Sequence, residues 1–117
     1  MLMTMVMDAP DYDLALLVPH NMYAADVRTA LAAVEQAVLA LPDDKFDPLT
    51  LDRLIRQVAA EQGVEPHALF QALRVALRGN LASPGLFDTM AALGRDGVRL
   101  RLAAALRRLS DIATTPN

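Results

Sequence analysis

The 117-residue chain predicts an all-α fold, a compact bundle of about five short helices. Three observations carry that expectation. The composition is 54% hydrophobic but only 4% aromatic, and its apolar mass is Ala and Leu, both strong helix formers. Apolar residues recur at spacings of three and four along most of the chain, which is the period of a helix with one buried stripe. Between the stripes stand proline, glycine and aspartate, where helices start and stop. The length bounds a single domain with a modest core.

Residues 1–23 are expected to form a lead-in segment packing on the domain, residues 24–110 the helical domain, and residues 111–117 a frayed tail. The opening Met1–Met7 is apolar but does not read as a secretory signal. No basic n-region precedes it, and Asp8, Pro10, Asp11 and Asp13 follow where a small-residue cleavage site belongs. No apolar run approaches the ~20 residues that span a bilayer, so a soluble, cytoplasmic chain without membrane contact is expected.

In the first helix Val27, Leu31, Val34, Val38 and Leu41 fall at spacings of four, three, four and three. Asn21 or Asp26 is placed to cap it, and Pro42-Asp43-Asp44 ends it. Asp47 caps the second helix and Pro48 takes its first position, where a missing N–H costs nothing. Leu51, Leu54, Ile55 and Val58 form its stripe, and Gly63 supplies the left-handed residue after it. Glu65-Pro66 opens a third helix with Leu69, Phe70, Leu73, Ala76 and Leu77 inward, closed by Gly79-Asn80. Ser83-Pro84-Gly85 opens a fourth, with Leu86, Phe87, Met90 and Leu93 inward and Gly94 as its stop. The fifth carries Val98, Leu102, Ala105, Leu106 and Leu109, and Gly97 near its start lowers helix stability by about 1 kcal/mol.

The residue inventory excludes much. There is no cysteine, hence no disulfide, thiol nucleophile or cysteine metal site. His20 and His67 have no ligand spacing around them and read as helix-end or surface residues, while Asp43-Asp44 reads as a turn, so no metal is expected. No Ser–His–Asp set, phosphate-binding glycine loop or carboxylate pair facing a cleft appears, and no catalytic residue is assigned. Net charge is −3, yet its distribution is uneven. Residues 1–65 carry eleven acids and four bases, a sum of −7, whereas residues 66–117 carry seven arginines and three acids, a sum of +4. That asymmetry fits either a polyanion site on one face or a solvated helix surface. Arg74 and Arg78, four apart on one side of the third helix, sit beside the loop and the free helix start.

From Phe70 to Asp96 the chain reads FQALRVALRGNLASPGLFDTMAALGRD. This resembles the C-terminal anticodon-binding domain of bacterial glutamyl-tRNA synthetases, whose pattern is close to QPLRxALTG, then SPPLF or TPGLF, then a helix ending LLG. Gln71, Leu73, Arg74, Ala76, Leu77, Gly79, Ser83, Pro84, Leu86, Phe87, Leu93 and Gly94 fall in register without a gap. Asp11-Tyr12-Asp13 with Leu16-Leu17-Val18-Pro19 looks like the family's lead-in, and Leu51–Gly63 is similar to its LxxLIRxxAxExG texture. The likeness covers roughly residues 8–110. Arg78 stands where the family usually has threonine, and Ala72 where it usually has proline.

The resemblance implies a module that reads the anticodon loop of tRNA-Glu. By matching position the contacts are Arg74, Ser83, Pro84 and Leu86, with Gln71 one turn before Arg74 as an orienter. Arg74 donates to base acceptors, Ser83 and the helix start offer hydroxyl and N–H groups, and Pro84 and Leu86 offer an apolar platform. Arg78, four residues after Arg74 on the same face, is expected from its position to add a phosphate contact that the usual threonine cannot make. Read without the resemblance, Ser83-Pro84 is simply a helix cap, Leu86 a core residue and Arg78 a member of a surface ion pair. The nucleotide-binding domain with HIGH and KMSKS-type motifs is absent from these residues, so no activity is expected of this chain alone and no cofactor. ATP and glutamate would bind the catalytic part. Upstream synthetase domains or a separate catalytic partner are implied, making the chain a fragment, a free-standing relative or part of a split enzyme. A helical protein–protein module that kept the fold but lost the RNA is the competing expectation.

Overall fold

A computed structural model describes residues 17–19, 22–78 and 85–114, with side chains through Ser110. Four α-helices and one 3-10 turn follow in order: α1 (Ala24–Ala40), the turn Asp43–Lys45, α2 (Pro48–Gln62), α3 (Pro66–Arg78) and α4 (Leu86–Thr114). No described residue lies in a strand, in keeping with the all-α expectation.

The count differs from the expected five because the fourth and fifth helices run together. Gly94 ends the first arm of α4 as expected, with φ 76° and ψ 170°, but no loop follows it. Arg95 resumes the helix at once. A single residue in a region almost closed to L-amino acids therefore does the work of a connection. An added Cβ on Gly94 would meet nothing within 4 Å, so backbone conformation alone demands glycine there. Three residues on, the reason for Gly97 is spatial. A Cβ there would lie 3.1 Å from the Leu93 Cβ, so glycine lets the second arm close against the end of the first. The helix also continues to Thr114, into the stretch expected as a frayed tail.

Local punctuation explains the other boundaries. Asp47 accepts from the Thr50 N–H at 2.9 Å and from its hydroxyl at 3.0 Å, and Pro48 fills the first position of α2. The Thr50 N–H holds the Asp47 carboxyl below the usual carboxylate range. Gly63 closes α2 in the left-handed region, as expected. At α1 the expectation fails: Tyr23 holds the cap position with no side-chain bond, Asp26 lies inside the first turn, and Asn21 is outside the described residues. The Tyr23 carbonyl accepts from Asp26 and Val27 N–H groups, so the backbone alone starts this helix.

One core joins all four helices. Val27, Leu31, Val34 and Val38 from α1 meet Leu51, Ile55 and Val58 from α2, and Leu69, Leu73 and Leu77 from α3. Met90, Val98, Leu102 and Leu109 from α4 complete it, and Leu17 of the lead-in is fully buried among them. α4 packs on each of the other three helices and most extensively on α1. Fully burying each such side chain contributes about 1.5–3 kcal/mol. Phe70 and Phe87 meet edge to face with centroids 5.5 Å apart, and the half-exposed Arg56 guanidinium lies 5.2 Å from the Phe70 centroid. Such pairs add only about 0.5–1.5 kcal/mol, so they orient α2, α3 and the start of α4 more than they stabilise them.

Gly94→Ala is expected to destabilise the fold by about 1–3 kcal/mol through backbone strain, read from the chemical-denaturation midpoint. A midpoint equal to the parent's would mean that the break does not require positive φ.

Candidate nucleic-acid interface

The third helix places three of the expected contact residues on one side. Gln71, Arg74 and Arg78 are spaced three and four apart and share a face, to which His67, four residues earlier, also belongs. Gln71, Arg78 and His67 are exposed; Arg74 is half-buried. This alignment follows from the core: Leu69, Phe70, Leu73, Ala76 and Leu77 fix the inward side of α3, which leaves the polar stripe outward. His67 was read as a bland surface residue, although its spacing from Gln71 contained this signal. Its ring stands edge-on to Phe70 at 5.8 Å.

Arg74 has a distinctive environment. Its Nε is buried and, like those of Arg95 and Arg101, has no hydrogen-bond partner. Arg95 and Arg101 bind protein acceptors through their other nitrogens, whereas Arg74 makes no hydrogen bond among the described residues. A single N–H withdrawn from water without an acceptor is unfavourable by about 1–3 kcal/mol.

The other expected residues fare differently. Ser83 and Pro84 lie outside the described residues. Leu86 is only 2% exposed and packs in the core at the start of α4. A side chain with so little open surface positions the helix start rather than offering a platform. The Gly85 carbonyl accepts from the Thr89 N–H at 2.9 Å and begins the helical ladder.

Sequence reading missed the two arginines that organise this edge. Arg95 bridges to Asp43 and donates to the carbonyl of Leu41, the residue that caps the end of α1. Arg101 donates to the Leu77 carbonyl at 3.1 Å, near the last turn of α3. Both satisfy carbonyls that a helix end leaves open, and both cations lie at the negative ends of helix dipoles. The basic second half is therefore not all available to a polyanion. Arg78, Arg99 and Arg107 are exposed, Arg74 is half-buried, and Arg95 and Arg101 bind protein. Arg101 also borders a cleft of about 550 Å³ between the end of α3 and α4, where Arg78, Asp88 and Thr89 face it.

Among the described residues there is no cluster of metal-ligating side chains, and no helix is long and apolar enough to cross a membrane. A small helical domain that holds arginines on one helix face beside a cleft is, as a class, a binding domain. Residues 1–106 match the anticodon binding domain family, and the chain belongs to it. It is 41% identical over 106 residues to the glutamate–tRNA ligase of Roseiflexus castenholzii, covering 88% of this chain and 20% of that protein. With the glutamate–tRNA ligase of Dehalococcoides mccartyi strain CBDB1 it shares 38% identity over 105 residues, 90% of this chain and 21% of the relative. Glutamate–tRNA ligase 1 of Methylorubrum extorquens is 42% identical over 79 residues, 68% of this chain and 16% of the relative. The chain thus spans about a fifth of the length of these curated relatives. No solved structure matches.

Removing the α3 cap tests the structural half of this arrangement. Arg101→Ala is expected to lower stability by about 1.5–3 kcal/mol, the range for a hydrogen bond to a charged group, measured by urea denaturation. A loss below a few tenths would show that the Leu77 carbonyl is served equally well by solvent.

Proposed function

We propose that this domain reads the anticodon loop of tRNA-Glu as the C-terminal part of a glutamyl-tRNA synthetase, and that it performs no chemistry itself. The observation that carries the reading is Arg74. It stands at the arginine of the family's Leu-Arg pair, and its guanidinium makes no hydrogen bond among the described residues. Loop bases are unstacked and present acceptors on their Watson–Crick edges, which suits a planar guanidinium fork. Gln71 orients or supplements that contact. Ser83 and Pro84 enter by their match to the family pattern, with Leu86 holding the helix that follows them. Arg78, exposed one turn beyond Arg74, engages a backbone phosphate.

In this reading ATP and glutamate bind a separate catalytic part, either upstream domains of the same polypeptide or a partner chain, and the complex works in the cytoplasm. The share of the curated relatives that this chain covers supports such a division of labour.

Binding to an anticodon stem-loop of tRNA-Glu, compared with stem-loops of other tRNAs, tests the reading. Arg74→Ala is expected to weaken the cognate interaction by about 1–3 kcal/mol with the helical melt unchanged. Equal binding by parent and variant would remove Arg74 from the interface. Equal affinity for all stem-loops, or none for any, would favour the protein–protein module instead.

Arg78→Thr is expected to reduce the slope of log affinity against log salt by about 0.7, the release of one counterion from a single strand, with base preference retained. An unaltered slope would reject the phosphate contact.

A further inference from the structure

The polar stripe of α3 does not end at Gln71. His67 continues it toward the start of the helix, and at about 100° per residue positions 67, 71, 74 and 78 fall within a narrow arc. With a rise of about 1.5 Å per residue the stripe is roughly 16 Å long. Of its four side chains His67 alone changes charge near neutral pH, since arginine stays cationic and glutamine neutral.

The setting of His67 keeps it at the surface. The residue is exposed, and its ring stands edge-on to Phe70 with centroids 5.8 Å apart. Phe70 is 5% exposed and is packed in turn by Phe87 and the Arg56 guanidinium. The imidazole therefore rests against a filled wall of the core, with α3 carrying it on the same side as Arg74.

We propose that His67 is a proton-dependent contact of the bound RNA. Its imidazolium form engages a backbone phosphate beside the nucleotide read by Arg74, and its neutral form does not. The proposal rests on the RNA-binding reading above and adds a regulation to it. An imidazolium offers two N–H donors and a full charge, so its bond to a phosphate oxygen is charge-assisted. The neutral ring offers one donor and no charge.

The sign follows from linkage. A bound polyanion favours the charged ring, so the complex holds the proton more firmly than the free domain does, and affinity rises as pH falls. Charged groups on the elements packed at this end of α3 are Asp52, Arg53, Arg56 and Glu61 on α2, Glu65 before His67, and Asp88 beside Phe87 on α4. They are present with and without RNA. The change in proton affinity on binding therefore comes from the ligand.

Binding of a tRNA-Glu anticodon stem-loop to the full chain is measured by fluorescence anisotropy at constant ionic strength between about pH 5 and 8, the window in which histidine titrates. Affinity is expected to rise about three- to tenfold as pH falls across it. His67→Gln is expected to keep the high-pH affinity throughout and His67→Arg the low-pH affinity throughout, with the helical melt of both unchanged. By NMR, the His67 ring of the parent is expected to titrate at higher pH in the complex than in the free domain. His20, the amino terminus and the RNA are common to all three proteins. A pH dependence that persists in His67→Gln thus belongs to one of them and overturns the proposal, as does a parent affinity independent of pH. If the stem-loop then still responds to Arg74→Ala, the anticodon reading stands and only the role of His67 falls. Absence of binding at every pH overturns both.

Discussion

Two guanidinium groups leaving the second arm of α4 hold the ends of two other helices. Arg95 reaches the carbonyl of Leu41, just past α1, and Arg101 the carbonyl of Leu77 in α3. A helix end set against other helices needs partners for its open carbonyls. α3 also carries the polar stripe, so the position of its last turn sets where Arg78 emerges and how the cleft is shaped. The direction in which the second arm leaves Gly94 places both arginines.

This division of the basic residues tempers the sequence-level charge argument. The arginines after residue 65 divide between carbonyls inside the bundle and open surface. Arginine meets both because its five donors can be shared between partners and its stem packs on apolar surface. Arg101 illustrates this, with one nitrogen fixed on α3 while its side chain borders the cleft. Electrostatic attraction for a polyanion therefore comes from fewer residues than a count suggests, with Arg78, Arg99 and Arg107 exposed and Arg74 half-buried.

What was legible in the sequence was local. Asp47, Pro48 and Gly63 state their roles within a few residues of the groups they satisfy, so the bounds of α2 could be read directly. The α3 stripe was equally legible, since a fixed apolar face leaves the positions of Gln71, Arg74 and Arg78 no choice. Tyr23 gave no signal because its cap is made by backbone alone. Arg95 and Leu41 are 54 residues apart, and Arg101 and Leu77 are 24 apart, so neither bond leaves a pattern in neighbouring residues. Gly94 was legible as a stop but not as an immediate restart, because nothing in its composition says that the next residue turns helical again. The burial of Leu86 also depends on tertiary packing, which places it with the core and not on the open floor.

Gly94 has a consequence for chirality. Its backbone angles are close to the mirror image of an extended conformation that ordinary residues adopt freely, so the position is shaped for an amino acid of the opposite hand. Ribosomal synthesis supplies no such residue, and glycine, being achiral, is the single member of the genetic alphabet that reads as either hand. The space around it is open, so the restriction comes from handedness and not from crowding. The angle between the two arms of α4, and through it the two distant helix caps, is set by one inverted residue in a chain otherwise of uniform hand.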